Sequence, residues 1–542
     1  MRLSPTGAYP LPLVFRNLSV AAVLALCSLA HAQTKPSQVW VADQGDGTYV
    51  NPVLNADYSD PDAIRVGNDF YLVASSFDQV PGLPILHSKD LVNWELIGHA
   101  LSEQPPVEVY AKTQHGNGVW APAIRQHAGM FYIYYPDPEY GIYVTKAAKI
   151  TGPWSTPKLV RAAKGWIDPC PLWDTDGNAY LINGMAGSRS GIKNVLILSR
   201  MSPDGEHMLD DGTIIIDGHG QDLTVEGPKI YKRNGFYYVF APGGGVPTGY
   251  QLVYRAKDIY GPYERRVVLS KGSTPTNGPH QGAWVETAAG EGWFLHFQDR
   301  GPYGRVTHLE PLQWEHDWPV VGKDGEPVLR YKKPAVAVVS KVMTPPDSDE
   351  FDSARLGLQW QWQANPVAGW ALPSQALGVL RLLNVPVDAV LGERLWTAPN
   401  VLTQKLPATA FTVTTKLNLA SHSVGDRSGL VLLGQDYAYV ATRRTEKGLV
   451  LVYGVSHDAG AETETVIRPL QGETVYLRMQ LSEGARAQFF ASEDGTHFTP
   501  AGEVFQARTG VWIGAKVGLF AQGPAMRGER SYVDVDWFRF ER

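Results

Sequence analysis

One short pattern recurs five times between residues 62 and 295, and it limits the possible folds more than any other feature of the chain. Each copy is an apolar strand, a turn carrying Gly, Asn or Asp, and an aromatic-rich strand. The copies span 62–73, 123–134, 171–182, 228–239 and 283–295. β-Branched and aromatic arms around such turns are hairpins. Further strand-like runs with Trp or Tyr lie between copies, such as Asn93-Trp-Glu-Leu96 and Gly261-Pro-Tyr263. A hairpin with one or two outer strands is the content of a propeller blade, so five copies predict a five-bladed β-propeller over residues 45–335. The competing architecture is a sandwich of unrelated hairpins, and the similar spacing of all five copies argues against it.

In a propeller the innermost strand of every blade starts on one rim of the central channel. The residues just before each hairpin are Asp60, Trp120, Asp168, Glu226 and His280, with successive gaps of 60, 48, 58 and 54 residues. One therefore comes from each blade, and the five are expected to meet at a pocket floor. The acids sit in Tyr58-Ser-Asp-Pro-Asp62, Trp166-Ile-Asp-Pro-Cys170 and Thr224-Val-Glu-Gly-Pro228, where the following Pro or Gly leaves the carboxyl at a strand end. Flanking by Ile167 or Val225 predicts partial desolvation and a raised pKa, which suits a general acid. Three converging carboxyls fit inverting glycoside hydrolysis. One acid protonates the leaving oxygen, one base about 6.5–9.5 Å away activates water, and a third carboxylate keeps the acid protonated. Taken singly, an Asp-Pro is a turn and a lone His a hydrogen-bonded structural residue. The coincidence of phase across the repeat carries the functional reading.

At 542 residues the chain is long enough for two domains. Its 48 basic and 54 acidic residues provide no field for nucleic acid. Arg2 and Arg16, the apolar run Leu18–Ala30 and the small residues of Ala30-His-Ala32 predict a signal peptide over 1–32 and a secreted or periplasmic protein. Cys27 leaves with that segment, so Cys170 is left without an intrachain partner. No later stretch has the length of a membrane helix. Asp174-Thr-Asp-Gly177 lacks the acid a calcium loop needs at its twelfth position, where Met185 stands. Gly243–Gly245 lacks the Lys and helix of a phosphate cradle, and no Gly-x-Ser-x-Gly elbow is present. From Pro345 to Glu350 the chain becomes polar, and strands of alternating pattern follow, among them 411–417, 429–433, 437–442, 475–479, 487–491 and 533–537. They predict a β-sandwich over 350–542, making the whole chain all-β.

Asn51-Pro-Val-Leu54 with Asp60-Pro61, then Val119-Trp-Ala-Pro122, Ile167-Asp-Pro169, Val225-Glu-Gly-Pro228 and Gly304-Arg-Val-Thr307, together resemble glycoside hydrolase family 43, in its two-domain branch of β-xylosidases and α-L-arabinofuranosidases. The resemblance implies a concanavalin-like sandwich opening at Phe351-Asp352 and an exo-acting, inverting enzyme that takes terminal xylose or arabinofuranose from plant cell-wall polysaccharide or its oligosaccharides. It implies Asp60 as general base, Glu226 as general acid and Asp168 as the group tuning that acid and orienting substrate. Phe77 and Trp120 would wall the sugar, Arg305 would donate to its hydroxyls, and Trp512 would enter the site from the sandwich. His280 matches the channel histidine that in many members faces a structural calcium ion directly or through water; no cofactor is expected to be required. Two departures stand out: Pro279-His-Gln-Gly-Ala-Trp284 around that histidine, and the insertion Glu103–Gly118, which is positioned to reshape the mouth. Two other functions compete. One is a sugar-binding propeller without catalysis. The other is a retaining fructan-cleaving enzyme, disfavoured because Ser59 precedes Asp60 and Gly227, not Cys, follows Glu226.

Overall fold

The computed structural model describes residue 1 and residues 35–337, 340–386, 392–524 and 530–542. The expected signal segment lies, beyond its first residue, outside them. Five four-stranded antiparallel sheets follow one another along the chain: blade I (Asp62–Leu101), II (Ala123–Ala162), III (Trp166–Asp217), IV (Lys229–Leu269) and V (His280–Val321). The sequence hairpins are the first two strands of each blade. In blade IV the turn is Asn234-Gly235 with φ of +50° and +77°, the left-handed pair that a two-residue hairpin requires. Blades III and V differ from expectation, because their first strands start at Trp166 and His280 and so contain Asp168 and His280.

Each blade's second strand is apolar on both faces, as Ala179–Met185 shows by being buried throughout. Alternation is absent because both faces meet a neighbouring blade. Five apolar clusters fill the five gaps. Tyr134 and Leu181 lie between blades II and III, Ile182 and Val239 between III and IV, Phe240 and Phe294 between IV and V, and Leu72 and Leu295 between V and I. Ile85 and Ile133 fill the gap between I and II.

No blade borrows a strand, so the ring is closed by the segment ahead of blade I. Thr48–Val50 pairs with Arg330–Lys332, and Leu54 forms a bridge with Thr307 of blade V. Tyr49 donates to the Leu309 carbonyl. Asn51 donates to the carbonyls of Leu309 and Val328 at 2.9 and 2.8 Å and accepts the Leu309 amide at 2.9 Å. Behind this seam His296 Nε2 lies 3.2 Å from Glu310, whose other oxygen takes the Val328 amide.

The C-terminal region forms two antiparallel-rich sheets of eight and seven strands, with Leu402, Leu430, Val440, Phe489 and Phe538 in the core between them. The expected strands at 411–417, 429–433, 437–442, 475–479, 487–491 and 533–537 all lie within these sheets. The sandwich docks on the propeller through paired backbone bonds between Val80 and Trp362 and through Asn365, which holds Gln104 by both its amide and its carbonyl. Among the described residues no helix is long and apolar enough to cross a membrane.

Replacing Asn51 by Ala removes three bonds across the seam. It is expected to lower the unfolding free energy by about 3 kcal/mol, read as a shifted urea midpoint.

Candidate active site

In an antiparallel blade the start of the first strand and the loop between the second and third strands open on the same rim. Both sets of residues meet around one cavity of about 590 Å³. The strand starts bring Asp60, Trp120, Asp168 and Glu226, and the loops bring Phe77, Lys193 and Val246, with Arg305 opening the third strand of blade V. Trp512 comes from the sandwich. The loop residues were not singled out from sequence, apart from Phe77, Arg305 and Trp512; the rim rule is the signal that finds them.

Much of this lining stands on left-handed backbone, with φ of +54° at Asp60, +51° at Phe77, +56° at Asp168 and +66° at Trp512. For rings such as Phe and Trp this conformation costs of order 1–3 kcal/mol, so the surroundings must enforce it. At Asp168 the cause is a bulge between Ile167 and Cys170 that swings the carboxyl out of the ladder. At Phe77 a backbone bridge to Val119 fixes the loop and sets the ring 6.4 Å from Trp120. Trp120 in turn stands edge-on to Trp512 at 6.1 Å. The insertion 103–118 supports this wall from behind. Gly116 accepts the Trp120 indole N–H, and His115 stacks on Trp396 of the sandwich at 3.6 Å. It contributes no side chain to the cavity itself.

Asp60 is held from two sides. Ser75 donates to Oδ2 at 2.6 Å, and Arg305 Nη1 approaches both oxygens at 3.2 and 3.3 Å. Asp168 accepts the Gly227 amide at 2.8 Å. Asp168 and Glu226 are neighbours across Gly184, where a Cβ would stand 3.5 Å from Asp168 Oδ2 and 3.7 Å from Glu226 Cβ. Burial, opposed in part by the Gly227 amide and reinforced by the charge of Asp60, pushes Asp168 up to about 7. Burial, then the charges of Asp168 and Asp60, push Glu226 up to about 8, against the opposing pull of Arg305 and Lys193. The site thus presents a carboxyl that keeps its proton near neutrality and, on the same cavity, a carboxyl gripped by a guanidinium.

His280 departs from expectation: it does not reach the cavity. A register shift between His280 and Gly282 turns Gln281 (φ +33°) inward in its place, beside Asp168. His280 lies fully buried behind Glu226, its Nε2 3.4 Å from Oε1, and burial with the nearby Arg305 charge holds it down to about 3, hence neutral. Calcium takes 6–8 oxygen ligands. Both ring nitrogens of His280 are buried without a hydrogen-bond partner among the described residues, so the imidazole would face such an ion through its water shell, and no step of the chemistry is assigned to it.

Residues 49–319 match the family model of the glycosyl hydrolases family 43. The chain belongs to this family. Residues 348–541 match a second model, the beta xylosidase C-terminal concanavalin A-like domain. The chain is 40% identical over 484 residues to a putative beta-xylosidase of Xylanibacter ruminicola, covering 88% of this chain and 86% of the relative. It is 30% identical over 536 residues to a non-reducing end alpha-L-arabinofuranosidase of Bacteroides ovatus, covering 93% and 97%. The crystal structure of a xylan beta-1,4-xylosidase from Bacillus halodurans superposes with a TM-score of 0.78 at 25% identity, over 91% of this chain and 100% of that one. In this family 43 glycoside hydrolase, Asp168→Asn removes one of the negative charges that hold the proton on Glu226. The Glu226 carboxyl midpoint, followed by ¹³C NMR, is expected to fall from about 8 toward the ordinary carboxylate range; an unmoved midpoint would show that burial alone sets it.

Proposed function

We propose that this protein is an exo-acting, inverting hydrolase that releases a terminal pentose, xylose or arabinofuranose, from hemicellulose oligosaccharides. The observation that carries this reading is the pairing, on one cavity, of Glu226 with its raised pKa and Asp60 in the grip of Ser75 and Arg305. Asp60 takes a proton from water as that water attacks the anomeric carbon. Glu226 gives its proton to the glycosidic oxygen as the carbon–oxygen bond breaks, and the anomeric configuration inverts in one displacement. Asp168 holds the proton on Glu226 by like charge and receives a sugar hydroxyl. Phe77, Trp120 and Trp512 provide apolar walls, and Arg305 reaches the sugar from blade V.

Aromatic walls on one side and the sandwich's Trp512 on another favour a chain end over a mid-chain segment. The names of the relatives favour β-linked xylose first and α-L-arabinofuranose second. The reading also includes export, on the strength of the charged, apolar and small-residue sequence at 1–32. Mass spectrometry of protein recovered outside the cytoplasm is expected to find Gln33 at its N-terminus.

Glu226→Gln is expected to lower kcat/KM on xylobiose roughly 10³-fold, with a smaller loss on aryl pentosides whose leaving group needs no proton. Wild-type kcat/KM is expected to fall as pH rises through about 8, where the acid loses its proton. Proton NMR of the first-formed sugar is expected to show the inverted anomer. Full turnover of xylobiose by Glu226→Gln, or retention of configuration, would overturn the assignment.

A further inference from the structure

Asp57 stands three residues before Asp60, is 4% exposed and lines no part of the cavity. Its carboxylate is shared between the two halves of the protein. Oδ1 accepts the amide of Arg305 at 2.9 Å, and Oδ2 accepts the amide of Gly514 at 2.8 Å. Arg305 is the propeller residue that grips Asp60, and Gly514 lies two positions after Trp512. Both backbones approach as closely as glycine allows. A Cβ on Gly304 (φ +80°) would lie 2.3 Å from Asp57 Cγ, and one on Gly514 would lie 2.6 Å from the Gly304 nitrogen. The Ala515 amide donates to Pro302 at 2.7 Å and continues the seam.

Electrostatics tie the same acid to the sandwich. Lys405 and Lys516 are cross-strand partners there. Burial and their mutual repulsion pull Lys405 down to about 7, burial lowers Lys516, and the charge of Asp57 opposes both shifts.

Resting on the reading of Glu226 as proton donor, we propose that Asp57 is a positioning residue: by holding the Arg305 and Gly514 amides on its two oxygens, it sets the guanidinium at Asp60 and the Trp512 loop in one frame. A carboxylate suits this task because it offers two acceptors and no donor, whereas Asn would face one amide with its own N–H groups. Asp57 touches no substrate; it acts through Arg305 and Trp512.

The test compares Asp57→Asn with Asn365→Ala, which cuts the Gln104 bonds across the same junction without touching either loop. Two quantities are measured in each: kcat/KM on xylobiose, and the Glu226 midpoint by ¹³C NMR. Asp57→Asn is expected to lower kcat/KM roughly 100-fold. It is expected to raise the Glu226 midpoint, because the Arg305 charge that lowers it withdraws. Asn365→Ala, whose partner Gln104 belongs to the buttress behind Trp120, is expected to lower kcat/KM less and to leave the Glu226 midpoint at the wild-type value. If the two variants give the same kcat/KM and the same midpoint, Asp57 is an ordinary domain contact and the proposal fails. The NMR arm needs no turnover, so a wild-type protein inactive on pentosides would sink the functional reading while the midpoint still judges Asp57. Should Asp57→Asn not fold, Gly514→Ala parts the two loops with the acid intact. A raised midpoint there supports the proposal, and an unmoved one overturns it.

Discussion

Apolar packing between adjacent sheets is the interaction on which everything else in this propeller rests. A single four-stranded blade has two greasy faces and cannot remain alone in water; a row of five leaves two such faces at its ends. Bending the row into a wheel buries the last against the first, as Leu72 and Leu295 do between blades I and V. The sequence consequence is a second strand apolar on both sides in blade after blade. The geometric consequence is that every first strand begins on the same rim, so polar residues far apart along the chain are brought to a common centre without any direct preference for one another.

That centre is expensive to build. Three carboxyls near one another repel, and burial makes each charge costlier still. The structure answers with donors aimed at particular oxygens: Ser75 and Arg305 on Asp60, the Gly227 amide on Asp168. It leaves Glu226 with the proton that the surrounding field favours. The asymmetry between acids of similar chemistry comes from their partners and not from their residue type, and that asymmetry is what general acid–base chemistry requires.

The hairpins could be read from sequence because strand alternation and turn chemistry are local. The acids could be read because they share one phase of a repeat. His280 was misplaced by a single residue for a related reason: a bulge adds one residue to a strand and turns the next side chain the other way, and nothing local in Pro279-His-Gln-Gly282 marks it. Lys193 and Val246 were missed because they sit in connecting loops of unequal length that carry no pattern. The insertion 103–118 was read as an element that shapes the mouth, and the structure shows it acting there as a buttress behind Trp120. Asp57, Lys405 and Lys516 look like ordinary surface charges in the sequence; only the meeting of segments hundreds of residues apart buries them.

The strand Thr48–Val50 is made early, but its partner Arg330–Lys332 comes only after all five blades. During synthesis the leading edge therefore stays unpaired while nearly the whole wheel is assembled behind it. Blades I to IV can dock in order as they emerge, but blade I keeps an open flank until blade V arrives. The closing seam makes the propeller cooperative over its full length: a chain stopped short of the last blade has a sticky edge and no finished rim.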